Sequence, residues 1–227
     1  MDKQVREPMH PIIIVRHGEA EHNVGDLTGG WTDSGLTPLG GQQAAAVADR
    51  LARELRGTDV RLLSSDLRRA RQTAKAISKA LGVEAEYSAD LREFNNGVAA
   101  NKRREEVQGL YVEPGDSLLD WQPYPGAETW RRFYLRVASY MDRIMESQDK
   151  PFLIVCHGGT VVQIVSWWLR LPVETLNWVN FHSYPTGVSV LTETKWGERR
   201  LERLNDTSHL GELGGVEPIP TEPVEKT

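Results

Sequence analysis

The chain has 227 residues, of which 39% are hydrophobic and 26% are charged, and its formal net charge is −5. This composition is typical of a soluble globular protein, the length suits one α/β domain or two small ones, and the mild acidity argues against nucleic acid as the main partner. The single cysteine excludes an internal disulfide framework and favours a reducing compartment, and the run of four aliphatic residues near the amino terminus is too short for a signal peptide or a membrane span. We therefore expect a cytoplasmic protein that contacts no membrane.

The predicted elements alternate between strands and helices along the chain. Aliphatic runs predict strands at 12–15, 60–63, 83–87, 152–156 and 187–192, and helical spacing of apolar residues predicts helices at 38–56, 66–81, 127–147 and 160–171. Thr37 and Pro38 are typical of a helix start, and Gly82 is typical of a helix end. This alternation predicts a three-layer α/β/α sandwich around a mostly parallel central sheet.

Two segments fall outside the alternating pattern. Residues 94–125 show no sustained period and contain several Pro and Gly, so we expect a loop-like segment that is variable and lids a pocket. Residues 211–227 are rich in Gly, Pro and Glu, which predicts a flexible tail. The sequence thus predicts a single domain over 1–210 followed by that tail.

Polar residues follow two of the predicted buried strands. The first strand leads into Arg16, His17 and Gly18, and a later one leads into His157 and Gly158. Because ligands bind at the carboxyl ends of parallel strands, we expect the two histidines to converge there. The glycines leave room for a ligand, amides at a helix start favour an anion, and a bound phosphate would satisfy the arginine. The pattern predicts a site for a phosphate dianion with one imidazole as nucleophile.

A second arginine is predicted from the helix at 66–81. At 100° per residue the core face is formed by Leu67, Ala70, Thr73, Ala74, Ile77 and Leu81, and the opposite, solvated face by Arg68, Arg71, Lys75 and Lys79. Arg69 belongs to neither face, because it flanks the core side in the first turn. That position suits a side chain that reaches over the carboxyl edge of the sheet.

These motifs together resemble the histidine phosphatase superfamily, the phosphoglycerate mutase-like proteins. The resemblance runs from about Ile12 to Leu210 and rests on "RHGE", "SSDLRRARQTA", "LRE" and "HGG", which stand in the family order, with Asn23 six residues after His17. It implies the phosphoglycerate mutase-like fold. No metal or organic cofactor is implied.

The resemblance assigns a role to each matching residue. His17 would be the nucleophile that is phosphorylated transiently, and Glu93 in "LRE" the general acid that protonates the leaving oxygen and later activates water. Arg16, Arg69 and His157 would bind the phosphate. Asn23 would touch the phosphate or its surroundings.

Departures from the family pattern favour hydrolysis over phosphate transfer between hydroxyls. Gly159 and Thr160 stand where the mutases of the family carry Asn-Ser, and "FNNGVAANKRREE" replaces the usual run after the general acid. We expect a histidine acid phosphatase-type phosphoric monoester hydrolase that acts on a small phosphorylated metabolite. A phosphoglycerate mutase and a non-catalytic phospholigand-binding protein remain as alternatives.

The basic cluster Lys102, Arg103 and Arg104 has two interpretations. It is either a solvated turn balanced by Glu105 and Glu106, or part of the lid that contacts a second anionic group of the substrate.

A metal site is the alternative interpretation of "HGEAEH". His17, Glu19 and His22 are close together, but their spacing matches no standard zinc motif, and we expect no metal. The expected partner is a small phosphorylated substrate, and a homodimer is one option for the assembly.

Overall fold

A computed structural model describes residues 9–213 of the chain. The strands are β1 (Ile12–Arg16), β2 (Arg61–Ser65), β3 (Ala85–Ser88), β4 (Phe152–Cys156), β5 (Val188–Glu193) and β6 (Arg199–Asp206). The α-helices are α1 (Glu21–Val24), α2 (Pro38–Glu54), α3 (Arg68–Leu81), α4 (Arg104–Val107), α5 (Trp130–Met145) and α6 (Gly158–Trp168). Short 3₁₀ helices lie at Ala89–Leu91, Gly97–Ala99, Gln108–Leu110, Val173–Asn177 and Gly211–Leu213.

The six strands form one sheet in the order β3-β2-β4-β1-β5-β6. The first four in this order are parallel, β5 is antiparallel to β1, and β6 is antiparallel to β5. In the register between β1 and β4, Arg16 lies opposite Cys156, so the residues that follow the two strands leave the sheet side by side. The predicted mostly parallel sheet is confirmed.

Both faces of the sheet are covered by helices. Ile12 and Ile14 of β1 pack in the cluster formed with α5 and α6, whereas Ile13 and Val15 pack in the cluster formed with α2 and α3. A strand that is buried on both faces has no polar side to show, which explains the unbroken aliphatic run. The three-layer arrangement therefore follows directly from this strand.

The prediction missed β6 and misplaced some boundaries. The strand Arg199–Asp206 is largely exposed at the sheet edge and carries five charged residues in "RRLERLND", so it lacks the aliphatic run of a buried strand. The strand expected at 83–87 lies at Ala85–Ser88, and the helix expected to end just before Gly57 ends at Glu54. An edge strand forms because it pairs with the neighbouring strand, and the residues of such a strand need not show a hydrophobic pattern in the sequence.

The predictions for the two segments outside the alternating pattern can be compared with the structure to different extents. The segment 94–125 is mostly loop, as predicted, with α4 and two 3₁₀ turns inside it. The predicted tail starts with the 3₁₀ turn Gly211–Leu213, and the rest of it, 214–227, lies outside the described residues. Between residues 9 and 213, no helix is long and apolar enough to cross a membrane.

Candidate active site

Two histidines meet at the carboxyl edge of the sheet. His17 follows β1 and His157 follows β4, and their ring centroids lie 5.0 Å apart in an edge-on arrangement. Both side chains are buried, with 2% and 0% of their surface exposed. The structure thus brings together the two His-Gly turns that the sequence singled out.

The proton on His17 is placed by its neighbours. Nδ1 lies 2.7 Å from the carbonyl oxygen of Gly18, which only accepts, so Nδ1 carries the proton. Nε2 accepts a hydrogen bond of 3.1 Å from Nε of Arg69. Burial, followed by the positive charges of Arg69 and Arg16, holds the pKa of His17 well below its usual value. His17 is therefore neutral, with its lone pair on Nε2.

Arg69 lies in the first turn of α3 and is only 1% exposed. Its Nη1 donates to the carbonyl oxygen of Thr32 at 2.6 Å and its Nη2 donates to that of Gly30 at 2.8 Å. Gly30 has a φ of +61°, and an added Cβ would lie 2.6 Å from Oδ1 of Asn96, so this turn requires glycine. Burial lowers the pKa of Arg69 to about 10, which leaves the guanidinium charged.

Two further buried groups at this edge have a polar atom that is unpaired. Nη1 of Arg16 donates to the carbonyl oxygen of Ser183, whereas Nε has no partner among residues 9–213. Nε2 of His157 lies 2.8 Å from Oγ of Ser65, whereas Nδ1 has no partner within the same range. Burial is the main cause that lowers the pKa of both side chains. An unpaired buried donor is costly, and such atoms concentrate at functional sites.

Glu93 is fixed by two backbone amides. Its Oε1 accepts from the amide of Phe94 and its Oε2 accepts from the amide of Gly159, each at 2.8 Å. A Cβ added at Gly159 would lie 2.3 Å from Oε1 of Glu93 and 3.0 Å from Cε1 of Phe133. The absence of a side chain at position 159 therefore sets where the Glu93 carboxyl group lies.

A network that the sequence analysis missed braces the backbone at Glu93. Arg136 of α5 donates through Nη2 to Oε1 of Glu128 at 2.6 Å and to the carbonyl oxygen of Glu93 at 3.1 Å. The indole of Trp31 donates to the same carbonyl oxygen at 2.7 Å, and Glu128 also accepts from the amide of Asn95 at 2.7 Å. The amphipathic pattern of α5 places Arg136 on that helix but does not show what it contacts.

Asn23 lies at the rim of the site beside His22, another residue whose role the sequence did not reveal. The exposed side chain of Asn23 accepts from the amide of Ala20 at 3.0 Å and donates to Nε2 of His22 at 3.3 Å. The ring of His22 is buried, lies 6.2 Å from that of His17 and donates through Nδ1 to Oγ of Ser34 at 2.6 Å. Burial and the nearby arginines lower the pKa of His22 to about 4, so it is neutral.

The glycines that follow the two histidines differ in how strictly the structure requires them. A Cβ added at Gly18 would lie 2.5 Å from the carbonyl oxygen of Gly40, so the turn after β1 needs glycine to pack against α2. Gly158 begins α6, and a Cβ there would lie 3.7 Å from the guanidinium carbon of Arg16, an ordinary contact. The backbone at Gly158 therefore passes directly beside the Arg16 cation.

The structure does not assemble the alternative metal site. Glu19 accepts a hydrogen bond of 2.7 Å from the hydroxyl of Thr37 at the start of α2. Within residues 9–213, no group of three His, Cys, Asp or Glu side chains is placed to hold a metal ion. His17 and His22 are instead held by the hydrogen bonds given above.

A cavity of about 960 Å³ lies near His22. It is lined by Thr28, Gly29, Phe94, Asn96, Arg104, Glu105, Gln108, Tyr111, Glu113, Pro123 and Tyr124. Phe94 is the neighbour of Glu93 in the chain, and a Cβ added at Gly29 would lie 3.5 Å from Cδ2 of His22. The cavity therefore lies close to His22 and to the backbone at Glu93, and its wall is formed largely by the segment 94–125.

The structure separates the three predicted lid cations. Arg104 lines the cavity, its charge contributes to lowering the pKa of His22, and it forms no ion pair within residues 9–213. Lys102 lies 3.7 Å from Glu106, and Arg103 lies 4.0 Å from Glu105 and is largely exposed. Lys102 and Arg103 thus match the interpretation as a balanced, solvated turn, whereas Arg104 faces the cavity.

The fold and the site together define an α/β protein with a buried cationic pocket built on two histidines. Over residues 12–207 the sequence matches the family described as "Histidine phosphatase superfamily (branch 1)", and the chain belongs to this family. The resemblance found in the motifs is therefore confirmed at the level of the family.

Individual relatives carry names for different reactions. The chain is 32% identical over 212 residues, 90% of its length and all of the relative's, to "Putative phosphoserine phosphatase 2" of Hydrogenobacter thermophilus. It is 31% identical over 209 residues, 89% of its length and 95% of the relative's, to "Probable phosphoglycerate mutase GpmB" of Salmonella paratyphi C. The solved structure of a mycobacterial glucosyl-3-phosphoglycerate phosphatase, 24% identical, superposes with a TM-score of 0.73 over 88% of this chain and all of that one. That last likeness shows a shared fold.

Proposed function

We propose that this protein is a metal-independent phosphomonoesterase that acts on a small phosphorylated metabolite through a phosphohistidine at His17. The observation that carries the proposal is the proton arrangement on His17, whose Nδ1 donates to Gly18 while Nε2 keeps its lone pair beside Arg69. A neutral imidazole is a nucleophile, and the neighbouring guanidinium groups attract the phosphate dianion that it attacks.

Phosphoryl transfer to the enzyme and hydrolysis share one carboxyl group in this proposal. Nε2 of His17 bonds to phosphorus while the bond from phosphorus to the ester oxygen breaks, and Glu93 gives its proton to the departing alcohol. Water then attacks the phosphohistidine, Glu93 takes a proton from that water, and the bond between nitrogen and phosphorus breaks. Inorganic phosphate leaves, and both side chains return to their starting protonation states.

The phosphoryl oxygens are held by the buried donors around His17. Nε of Arg16 and Nδ1 of His157, unpaired within residues 9–213, support a role in binding these oxygens, with Gly158 and Asn23 at the edge of the group. The Nε–H of Arg69 occupies the His17 lone pair, so a bound phosphate has to draw that donor onto one of its oxygens before attack. Donors placed in advance around developing charge are the largest source of rate acceleration in such sites.

The cavity supports a substrate with a second anionic group. Arg104 is the cavity cation without an ion pair within residues 9–213, and a carboxylate is the simplest partner for it. Phosphoserine and 3-phosphoglycerate, the kinds of compound that the names of the relatives mention, both carry a carboxylate near the phosphate. We propose that Arg104 binds such a carboxylate while the phosphate lies against His17.

The first test is phosphate release from p-nitrophenyl phosphate in excess EDTA, with wild type beside His17→Ala. Turnover that survives EDTA and is lost in the variant supports the phosphohistidine route. Turnover abolished by EDTA contradicts the metal-independent mechanism. A wild-type protein that binds vanadate without turnover is a phospholigand-binding protein, and one that interconverts phosphoglycerates without releasing phosphate is a mutase.

A further inference from the structure

A turn at 183–187, the Arg16 bracket, surrounds Arg16 on three sides. The carbonyl oxygen of Ser183 accepts from Nη1 of Arg16. The amide of Arg16 donates to the carbonyl oxygen of Gly187 at 3.3 Å, and the amide of Thr186 donates to the carbonyl oxygen of Arg16 at 3.0 Å. One turn therefore fixes the backbone and the guanidinium of the same residue.

Thr186 holds the bracket in a strained conformation. Its φ is 56°, in the left-handed region that β-branched residues avoid, and its side chain is fully buried. Its amide also lies 3.3 Å from the carbonyl oxygen of His17, so the strained residue contacts the backbone of both Arg16 and His17. Strain of this kind persists where surrounding contacts enforce it, and it concentrates at functional sites.

The Thr186 side chain is contacted by His209, which lies just beyond β6. Arg50 of α2 has no acceptor atom in its guanidinium, so Nδ1 of His209, 3.2 Å from Nη1 of Arg50, accepts that hydrogen bond. Nε2 of His209 therefore carries the proton and donates to Oγ1 of Thr186 at 3.1 Å. Oγ1 of Thr186 in turn donates to the carbonyl oxygen of Pro185 at 2.8 Å. Each of these three hydrogen bonds therefore joins one donor to one acceptor when the His209 imidazole is neutral.

Arg50 is itself anchored at the far end of the path. It is buried, donates through Nη2 to Oδ2 of Asp206 at 2.6 Å and donates through Nε to Oε1 of Glu54 at 2.7 Å. Arg203 joins the same acidic pair from its exposed side, 3.4 Å from Glu54 and 3.5 Å from Asp206, without touching His209. The path thus leads from an ion cluster on α2 and β6 to the carboxyl end of β1.

We propose that His209 is a positioning residue for the phosphate site, which it orders through Thr186 and the Arg16 bracket. The inference rests on the proposed function in that its readout is binding of a phosphate-like anion. The imidazole does not touch the anion. It keeps Thr186 in the conformation that holds the Arg16 guanidinium and the His17 backbone in place for binding.

The test compares vanadate affinity and kcat/KM in four proteins, namely wild type, His209→Leu, His209→Gln and Thr186→Val. A glutamine offers one acceptor and one donor, as the neutral imidazole does, whereas leucine and valine break the path. We expect about tenfold weaker vanadate binding and a similar fall in kcat/KM for His209→Leu and Thr186→Val, the order expected for a lost hydrogen bond, and values within threefold of wild type for His209→Gln.

Arg203→Gln is the matched control, because it removes the ion pairs of Arg203 with Glu54 and Asp206 in the same cluster and leaves the path intact. Its vanadate affinity should equal that of wild type. Unchanged affinity in His209→Leu or Thr186→Val overturns the inference, and so does equal loss in His209→Gln. If His209→Leu does not fold, Thr186→Val decides. Failure of wild type to bind vanadate or to turn over would instead refute the proposed function.

Discussion

The phosphate end of the site, around His17, Arg69 and His157, and the cavity end, around Arg104, are built in opposite ways. At the phosphate end the side chains are buried and held largely by backbone carbonyl groups and by one another. At the cavity end Arg104 is exposed, lies in a four-residue helix and has no ion pair within residues 9–213. In the proposed function, the chemistry therefore belongs to the buried groups at the sheet edge, and substrate choice belongs to the exposed segment 94–125.

The phosphate end also contains two arginines, Arg16 and Arg69. Arg16 and Arg69 are kept from water without a carboxylate bonded to either guanidinium among residues 9–213, and this lowers the pKa of each. A phosphate dianion is the partner that such a pair favours. Within the described residues, the cavity end has no such buried, unpaired charge, because Arg104 is exposed to solvent.

The largest predicted effect is at Arg69. Arg69→Gln should lower kcat/KM for p-nitrophenyl phosphate by about 10³-fold, because it removes a buried donor to the phosphate and the partner of the His17 lone pair. Its neighbour Arg68, exposed on α3, provides the control, and Arg68→Gln should stay within twofold of wild type. Equal losses in the two variants would show that general charge, and not the buried geometry, attracts the substrate.

The next largest effect is predicted at Gly159, and substitution of its neighbour Gly158 should have a smaller one. Gly159→Ala should displace the carboxylate of Glu93 and lower kcat for phosphoserine by about 100-fold, the range of general acid catalysis. The loss should be smaller for p-nitrophenyl phosphate, because its leaving group needs no proton. Gly158→Ala meets only an ordinary contact and should cost less on both substrates. A larger loss for the aryl phosphate than for phosphoserine would contradict the role of Glu93.

Burial at the phosphate end also has a consequence for acid stability. His22 is neutral in the folded protein down to its pKa of about 4, whereas it takes up a proton near pH 6.5 when the chain unfolds. Between these values the unfolded state binds more protons, so the free energy of unfolding falls as the pH falls, by about 2 kcal/mol from pH 7 to pH 5 for this group. Urea unfolding at both pH values measures the change. His22→Phe should show a shallower fall, and a fall as steep as that of wild type would show that His22 does not contribute.

The smallest effect belongs to the cavity end. Arg104→Gln should raise KM about tenfold for phosphoserine or 3-phosphoglycerate and leave p-nitrophenyl phosphate unchanged, since only the former carry a carboxylate. Arg103→Gln, beside it in the chain but absent from the cavity wall, should change neither. Equal effects of Arg104→Gln on all three substrates would contradict the carboxylate contact.

The sequence predicted that His17, His157 and Arg69 meet at one edge of the sheet, but it did not reveal the side chains that hold this edge in place. His17, His157 and Arg69 could be placed because short aliphatic strands and helical periodicity report where a side chain leaves a regular element. Arg136 and His209 were missed because their partners are backbone groups or side chains distant in sequence, which no local pattern encodes. Such residues are found only when the chain is folded.

The most direct test of the central claim is to trap the enzyme during turnover. Wild type and His17→Ala would be mixed with ³²P-labelled substrate, quenched in alkaline denaturant within milliseconds and digested for peptide mapping. The account predicts label on the wild-type peptide that contains His17 and none in the variant. A wild-type enzyme that turns over without labelling, or that carries label on a peptide without His17, would contradict the phosphohistidine mechanism.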